Sequence, residues 1–284
     1  MSKVSIVTDS TAYLPKELLQ QYNIKVVPLA VIWGMDSYED GVDIQPDDFY
    51  KKLSTTKVSP TTSQATPANM MTAFNSCLEE GNEVFGMFIS SKLSGTYQSA
   101  IQARDLLPSG QDKLTFFDSG STSMGLGFQV LAVARAAAQG ASVADCQALA
   151  EKALNNTGVY FVVDTLEYLH RGGRINTAKK FLGTALNLKP ILTLADGKIE
   201  PVASVRTKSK AIERVIELIE EKTQGRSNVR LGTMHANAFE EAKATLDVAA
   251  ERVGAIEKIY STVSPAIGTH TGPGTIGLAY SVDL

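Results

Sequence analysis

The sequence predicts an α/β protein in two parts: a mostly parallel sheet with flanking helices, followed by an α/β unit with antiparallel strands. Apolar runs of strand length alternate with helical stretches along most of the 284 residues. In the first part, loops rich in serine and threonine join the strands to the helices. In the second part, two apolar runs flank Asp196-Gly197, a dipeptide that favours a tight hairpin turn.

The first part consists of four units in which a polar loop leads into a helix. In chain order they are the strand over residues 4–7 with a helix begun by Pro15, the loop over residues 61–64 with a helix capped by Thr66 and begun by Pro67, the strand over residues 84–89 with a helix near 97–107, and the strand over residues 114–117 with a helix near 125–139. Loops of this kind meet at one edge of a parallel sheet, where ligands of open α/β folds bind.

The second part begins with a strand over residues 159–163, which leads to a basic turn over residues 170–174 and a short helix. The hairpin strands over 191–194 and 199–205 follow. Next come a helix capped near Ser209, a strand and a helix up to Arg252, and two last strands that bracket a loop at His270. We therefore expect an N-terminal domain over residues 1–158 and a C-terminal domain over residues 159–284.

The composition argues against several classes of protein. Lysine and arginine number 27 against 30 acidic residues, and the net charge is -3, so no basic stripe indicates a nucleic acid partner. No apolar stretch reaches the length of a membrane span, and the N-terminus does not resemble a signal peptide. Cys77 and Cys146 lie far apart in helical patterns, as free thiols do in a reducing compartment. We expect a soluble cytoplasmic protein.

The loop over residues 90–97 is the most informative local feature. Gly95 lets the backbone approach a ligand, and the free N–H groups of the following helix start favour a negative group. Ser94 and Thr96 add hydroxyl donors. The alternative is that one of these two hydroxyls only caps the helix. Thr62 and Ser63, in the loop over 61–64, add donors that helix capping does not need, although such residues also simply make turns.

Two further segments are candidates for anion binding. Arg171-Gly172-Gly173-Arg174 brings two guanidinium groups and exposed backbone together, as in an anion clamp, whereas the alternative is a solvated surface turn. Arg206 is a weaker candidate, for which a solvated strand end is favoured. The loop over residues 264–274 holds three glycines and two prolines around His270, with Thr269 beside it. Histidine has a reference pKa of ~6.5, so the prediction for His270 is that it protonates near neutral pH or binds an anion. The alternative is a structural role, which is the commoner one for a lone histidine, but the neighbouring threonines and glycines favour function.

Recognisable catalytic signatures are missing from the sequence. No nucleophile elbow, P-loop, zinc-protease motif or paired C-x-x-C occurs. Asp9 and Asp118 follow strands, but aspartate before a helix is commonly a cap, so no metal site is predicted. We expect no catalytic residue and no cofactor.

Several segments together resemble the DegV family, in order and over nearly the whole chain. They are Thr8-Asp9-Ser10-Thr11, Thr62-Ser63-Gln64, Ser91-Lys92-Leu93-Ser94-Gly95-Thr96-Tyr97-Gln98-Ser99-Ala100, Gly172-Gly173-Arg174-Ile175, Lys189-Pro190 and Gly268-Thr269-His270-Thr271-Gly272-Pro273-Gly274. The resemblance implies a two-domain lipid-binding protein with a fatty acid such as palmitate in an apolar tunnel of the second domain and its carboxylate between the domains. It also implies, for some members, a separate fatty-acid kinase that phosphorylates the bound acid for phospholipid synthesis.

Carried over to this sequence, the resemblance makes Thr62 and Ser94 the carboxylate-binding residues. It ties Arg174, Arg206 and His270 to the head group or to phosphate transfer. From the residues themselves, two alternatives stay open. One is a serine-dependent hydrolase or acyltransferase with Ser94 as nucleophile and His270 as base, and the other is a protein that binds a phosphate metabolite at its helix starts.

Overall fold

A computed structural model gives the structure of residues 3–181 and 188–284. The strands are β1 Val4–Asp9, β2 Lys25–Val27, β3 Ala30–Trp33, β4 Asp36–Glu39, β5 Thr61–Ser63, β6 Glu83–Phe88, β7 Leu114–Asp118, β8 Thr157–Val162, β9 Lys189–Ala195, β10 Lys198–Val205, β11 Arg230–His235, β12 Glu257–Thr262 and β13 Ile276–Ser281. The α-helices are α1 Lys16–Gln21, α2 Pro46–Thr55, α3 Pro67–Glu79, α4 Thr96–Leu106, α5 Ser123–Ala138, α6 Val143–Asn156, α7 Glu167–Arg171, α8 Lys208–Thr223, α9 Phe239–Val253 and α10 Pro265–Thr271. Short 3-10 helices occupy Ser10–Ala12, Gln111–Lys113 and Asn176–Phe181.

The N-terminal sheet is parallel throughout, with the strand order β2-β1-β6-β7. Its central strands are buried because helices cover them, as their nearly continuous apolar sequences require. Helix α3 begins as predicted, since the Thr66 hydroxyl accepts a hydrogen bond from the Asn69 N–H at 3.1 Å. The prediction of a parallel sheet with flanking helices is confirmed.

A second, small antiparallel sheet has the order β4-β3-β5. The prediction of a loop over residues 61–64 is wrong, because Thr61–Ser63 forms strand β5. This strand pairs with β3. The sequence did not predict this strand, because three polar residues show no alternation of apolar and polar positions. They form a strand because the free edge of β3 offers them hydrogen-bond partners.

The C-terminal sheet has the order β10-β9-β8-β13-β11-β12, and its neighbouring strands are antiparallel except for the pair β11 and β12. The predicted hairpin joins β9 to β10, and Asp196 and Gly197 both have the positive φ of a tight hairpin turn, 48° and 74°. The mixed α/β fold class is confirmed. The change of sheet falls between α6 and β8, while the division into domains after residue 158 stays a prediction.

Helix α5 packs between the two larger sheets. It contacts β1 and β6 on one side and β8, β11 and β13 on the other. Most of its residues are therefore buried, and the largest apolar cluster of the described chain runs continuously from the N-terminal sheet through α5 to residues of the C-terminal sheet such as Val159 and Ala279. The carboxyl edge of the N-terminal sheet thereby faces the C-terminal sheet.

Two local predictions for the second part are corrected by the structure. Helix α8 is capped by Thr207 rather than Ser209, because the Thr207 hydroxyl accepts a hydrogen bond from the Lys210 N–H at 3.3 Å. His270 lies in helix α10 rather than in a loop. Pro265 suits the first turn of this helix, and the glycines that indicated a loop lie partly inside it and partly after its end. Every helix in the described part of the chain is either too short or too polar to span a lipid bilayer.

Asp9 joins the end of β1 to the end of β6. One carboxylate oxygen accepts hydrogen bonds from the N–H and the hydroxyl of Thr11, and the other accepts one from the Ile89 N–H at 2.7 Å. The side chain is fully buried, and burial raises its pKa. Asp9 therefore has the structural role of a cap between two strand ends.

We predict that Asp9→Ala lowers the free energy of unfolding by about 3 kcal/mol, because it leaves two buried N–H groups without an acceptor. Urea denaturation of the purified variant measures this loss. Ser142→Ala is the control, since it removes the exposed capping box of α6 and should be much milder. Equal losses in the two variants would contradict the role given to Asp9.

Candidate functional site

An apolar cavity lies between the carboxyl edge of the N-terminal sheet and the C-terminal sheet. It contains about 1040 Å³ of space free of protein atoms, its open mouth included. Its apolar wall is formed mainly by aliphatic and aromatic side chains, among them Ile89, Leu93, Phe161, Leu194, Met234 and Ile267. A cavity with this lining suits an apolar ligand.

Polar groups from both parts of the chain meet at one region of the cavity. Thr62 of β5 and His270 of α10 both line it, and Thr62 Oγ1 lies 2.7 Å from His270 Nε2. Ser94 lines it from the loop after β6, and its Oγ lies 2.9 Å from Thr96 Oγ1. The Ala65 N–H donates to the same Thr96 oxygen at 3.4 Å, which holds the end of β5 beside the Ser94 loop. We call Thr62, Ser94, Arg174 and His270 the head-group cluster.

Two contacts fix the position of His270. The backbone of Gly172 lies against the ring, so closely that a Cβ atom at this position would come within 2.0 Å of Nδ1. Only glycine permits this approach. The start of α10 is held by the buried Asp40, whose carboxylate accepts hydrogen bonds from the Ala266 N–H at 3.0 Å and the Ser10 hydroxyl at 2.6 Å. Burial raises the pKa of Asp40 to about 6.

His270 is neutral at pH 7. Burial, together with the nearby positive charge of Arg174, lowers its pKa to about 4. The expectation that His270 protonates near neutral pH is therefore wrong. Its Nδ1 is buried and has no hydrogen-bond partner among the described residues.

Arg174 is the one permanently charged residue among the described residues that line the cavity. Its Nε donates to the Leu93 carbonyl at 3.2 Å, and its Nη1 donates to the Gly172 carbonyl at 2.7 Å. These bonds hold the guanidinium between the Ser94 loop and the segment that supports His270. The cluster thus combines one positive charge with two hydroxyl groups, which suits a small anion.

The structure brings together six of the residues singled out from the sequence. Those that line the cavity are Thr62, Ser63, Ser94, Gly95, Arg174 and His270. Thr96 is buried behind Ser94, and Thr269 donates to the Pro265 carbonyl within α10.

The two remaining arginines lie outside the cavity lining. Arg206 is exposed after the end of β10. Arg171 is also exposed and pairs with Glu167 and Ser59. The clamp over residues 171–174 therefore contributes one arginine to the cavity, because the Arg171 side chain bonds to Glu167 and Ser59 instead.

Sequence reasoning assigned no role to three residues that the structure brings to the site. Thr122 and Ser123 line the cavity from the loop after β7. That loop belongs to the same series of serine- and threonine-rich segments, which is the signal that could have identified them. Asp40 lies in a polar stretch between β4 and α2, where nothing in the sequence indicates a buried carboxylate.

Comparison with known proteins gives matches over the whole chain. The model of the DegV family, whose description is an uncharacterised protein, matches residues 3–283. A DegV domain-containing protein of Halalkalibacterium halodurans is 36% identical over 284 residues, which cover 100% of both chains.

Solved structures agree with this match. A DegV family protein from Thermus thermophilus, described for its fatty acid binding, is 34% identical, with a TM-score of 0.92 over 99% of both chains. A stearic-acid-binding protein from Eubacterium ventriosum is 25% identical, with a TM-score of 0.86 over 99% of this chain and 98% of the other. The resemblance noted from the sequence is confirmed, and the chain belongs to the DegV family.

Proposed function

We propose that this protein binds a long-chain fatty acid, with the carboxylate at the head-group cluster and the tail along the apolar cavity. The observation that carries the proposal is that one cavity joins two hydroxyls and a guanidinium to an apolar wall. The fatty-acid ligands named for the Thermus and Eubacterium proteins support the same class of ligand.

The tail supplies most of the gross affinity under this proposal. Burial of a methylene group contributes ~0.8 kcal/mol, so a chain of about fourteen methylenes contributes on the order of 10 kcal/mol before the entropic losses of binding. The carboxylate has the opposite effect, because a buried anion is unfavourable without several donors. Ser94, Thr62 and Arg174 supply donors at the cluster.

The neutral His270 orients the Thr62 hydroxyl. We assign the ring proton to Nε2, so that the ring donates to Thr62 Oγ1 and the Thr62 proton is free to donate to the carboxylate. The opposite tautomer would bury an N–H group at Nδ1 without an acceptor among the described residues, which is less favourable. His270 therefore acts on the ligand through Thr62.

The geometry favours binding over serine catalysis. A nucleophilic serine needs a base within hydrogen-bond reach, but His270 bonds to Thr62, and the Ser94 hydroxyl bonds to Thr96. No carboxylate orients Nδ1 in the described part of the chain. Ser94 in our proposal is a hydrogen-bond donor to a bound head group.

We further propose that the protein presents its bound acid to a separate kinase, which forms an acyl phosphate in the cytoplasm, where ATP is available. The head-group cluster lies at a cavity with an open mouth, which would let a partner reach the carboxylate. We expect labelled phosphate to pass from ATP to the bound acid only when the kinase from the same organism is present. Transfer by this protein alone, or none with the kinase, would contradict the proposed presentation.

The binding proposal predicts that the purified protein carries about one equivalent of long-chain fatty acid. Organic extraction followed by mass spectrometry measures this content. Ser94→Ala should retain roughly 10-fold less acid, because the carboxylate loses one charge-assisted hydrogen bond. A wild-type protein that is empty and does not respond to added palmitate or oleate would contradict the proposal.

Ser91→Ala is the matched control for Ser94→Ala. Ser91 is exposed in the same loop and does not line the cavity, so its replacement should leave lipid retention unchanged. The Ser94 hydroxyl also accepts a hydrogen bond from the Thr96 N–H at 3.3 Å, and thermal unfolding of both lipid-free variants separates this local contribution from binding. Equal retention by the two variants would refute the role of Ser94.

The proton on His270 provides an independent prediction. We expect its pKa to lie near 4 in the lipid-free protein and to rise on loading, because a bound carboxylate favours the charged imidazole. Loading at a pH between about 4 and 6.5 should then be accompanied by proton uptake. NMR titration of the ring signals measures the change.

His235 is the internal control for this titration. Burial lowers its pKa as well, but it does not line the cavity, so its pKa should not move on loading. A His270 pKa that is the same in the empty and loaded protein would show that the carboxylate binds elsewhere.

A further inference from the structure

The start of helix α5 is buried at the cavity without a cap. The first intrahelical bond runs from the Leu126 N–H to the Thr122 carbonyl at 3.3 Å, and no side chain caps the helix. The N–H groups of Ser123, Met124 and Gly125 have no acceptor among the described residues, although these residues are buried. Helix ends buried in proteins normally have their N–H groups bonded to a side chain, water or a ligand.

Two hydroxyl groups lie at the same helix start. Thr122 is 9% exposed and lines the cavity, and its Oγ1 is buried without a hydrogen-bond partner. Ser123 also lines the cavity, and its hydroxyl bonds to no described residue. Ser123 has a φ of 61°, a left-handed conformation that is uncommon for a non-glycine residue. Thr122 is the N-cap residue of α5, so its unpartnered hydroxyl and the unpaired N–H groups lie at the same helix start, and both lack a polar partner among the described residues.

The start of α5 and the head-group cluster lie on different segments that line the same cavity. Thr122 and Ser123 follow β7, whereas Ser94 follows β6 and Thr62 belongs to β5. Arg174 and His270 make their contacts within the cluster, with Leu93, Gly172 and Thr62. Near the helix start, apolar side chains such as Val159 share the wall. Backbone N–H groups and hydroxyls without a counter-charge suit a neutral acceptor oxygen in an otherwise apolar ligand.

We propose that the start of α5 binds an oxygen substituent on the acyl chain, so that the preferred ligands are long-chain fatty acids with a hydroxyl or keto group in the chain. This inference rests on the proposed function, because it places the carboxylate at the head-group cluster. An oxygen at the helix start accepts from the free N–H groups and from Thr122 or Ser123. A saturated chain leaves these donors without a partner, and sites of this kind discriminate against ligands that lack the polar group.

The test is a competition between stearic acid and stearic acids with a hydroxyl or keto group at successive positions of the chain. The lipid-free wild-type protein is offered equal amounts of the two kinds of acid, and the retained acids are measured by mass spectrometry. We expect at least one oxygenated isomer to be preferred over stearic acid by roughly 10-fold, as one or two buried hydrogen bonds imply. A ratio near one for every isomer overturns the inference without any variant.

Variants connect the preference to the site. Thr122→Val combined with Ser123→Ala should bring the ratio close to one, whereas Ser91→Ala, which lies outside the cavity, should keep it. A preference that survives in the double variant overturns the inference. Ser94→Ala should lower the retention of both acids and keep their ratio, because it acts on the carboxylate. If the wild-type protein retains neither acid, the proposed function itself fails, and this result is distinct from a ratio of one.

Discussion

Helix α5 has to be apolar on nearly every side, because it packs between two sheets. This constraint determines where a ligand can bind. The helix keeps the carboxyl edge of the N-terminal sheet opposite the C-terminal sheet, and the polar loops of that edge then face apolar strands. A helix in this position also brings its own N-terminus to the cavity. The position of α5 therefore accounts both for the packing of the two sheets and for the two polar regions of the cavity.

Burial has opposite consequences at the two polar regions. At the head-group cluster, low exposure keeps His270 neutral and makes Arg174 the local charge, while Asp40 and Gly172 hold the ring in place. At the start of α5, burial removes water from groups that carry no full charge. The head-group cluster therefore suits a charged group of a ligand, and the start of α5 suits a neutral polar group. An aliphatic chain with one acidic end fits the apolar wall of the same cavity.

Local sequence signals predicted the features that depend on local physics. The Thr66 cap, the Asp196-Gly197 hairpin and the parallel sheet follow from side chains acting on their own backbone or from the burial of apolar runs. Strand β5 depends on a partner edge about thirty residues away in the chain, and so its polar sequence indicated only a loop. The lowered pKa of His270 depends on Arg174 and on burial, neither of which a single sequence displays. The segments that resemble the family contain all four residues of the head-group cluster. Thr269, from one of those segments, and Arg206, which the resemblance tied to the head group, do not line the cavity.

The charge balance of the cluster bears on the alternative of a phosphate ligand. With His270 neutral, Arg174 provides one positive charge, which matches the single negative charge of a carboxylate. A phosphate monoester carries about -1.5 to -2 charges at pH 7 and would leave an excess of buried negative charge. Protonation of His270 could supply the missing charge, but a bound dianion would have to raise the pKa of this residue from about 4 by about three units to protonate it at pH 7. The same burial that keeps His270 neutral therefore favours a monoanionic head group, and under the proposed function the apolar wall favours a fatty acid among monoanions.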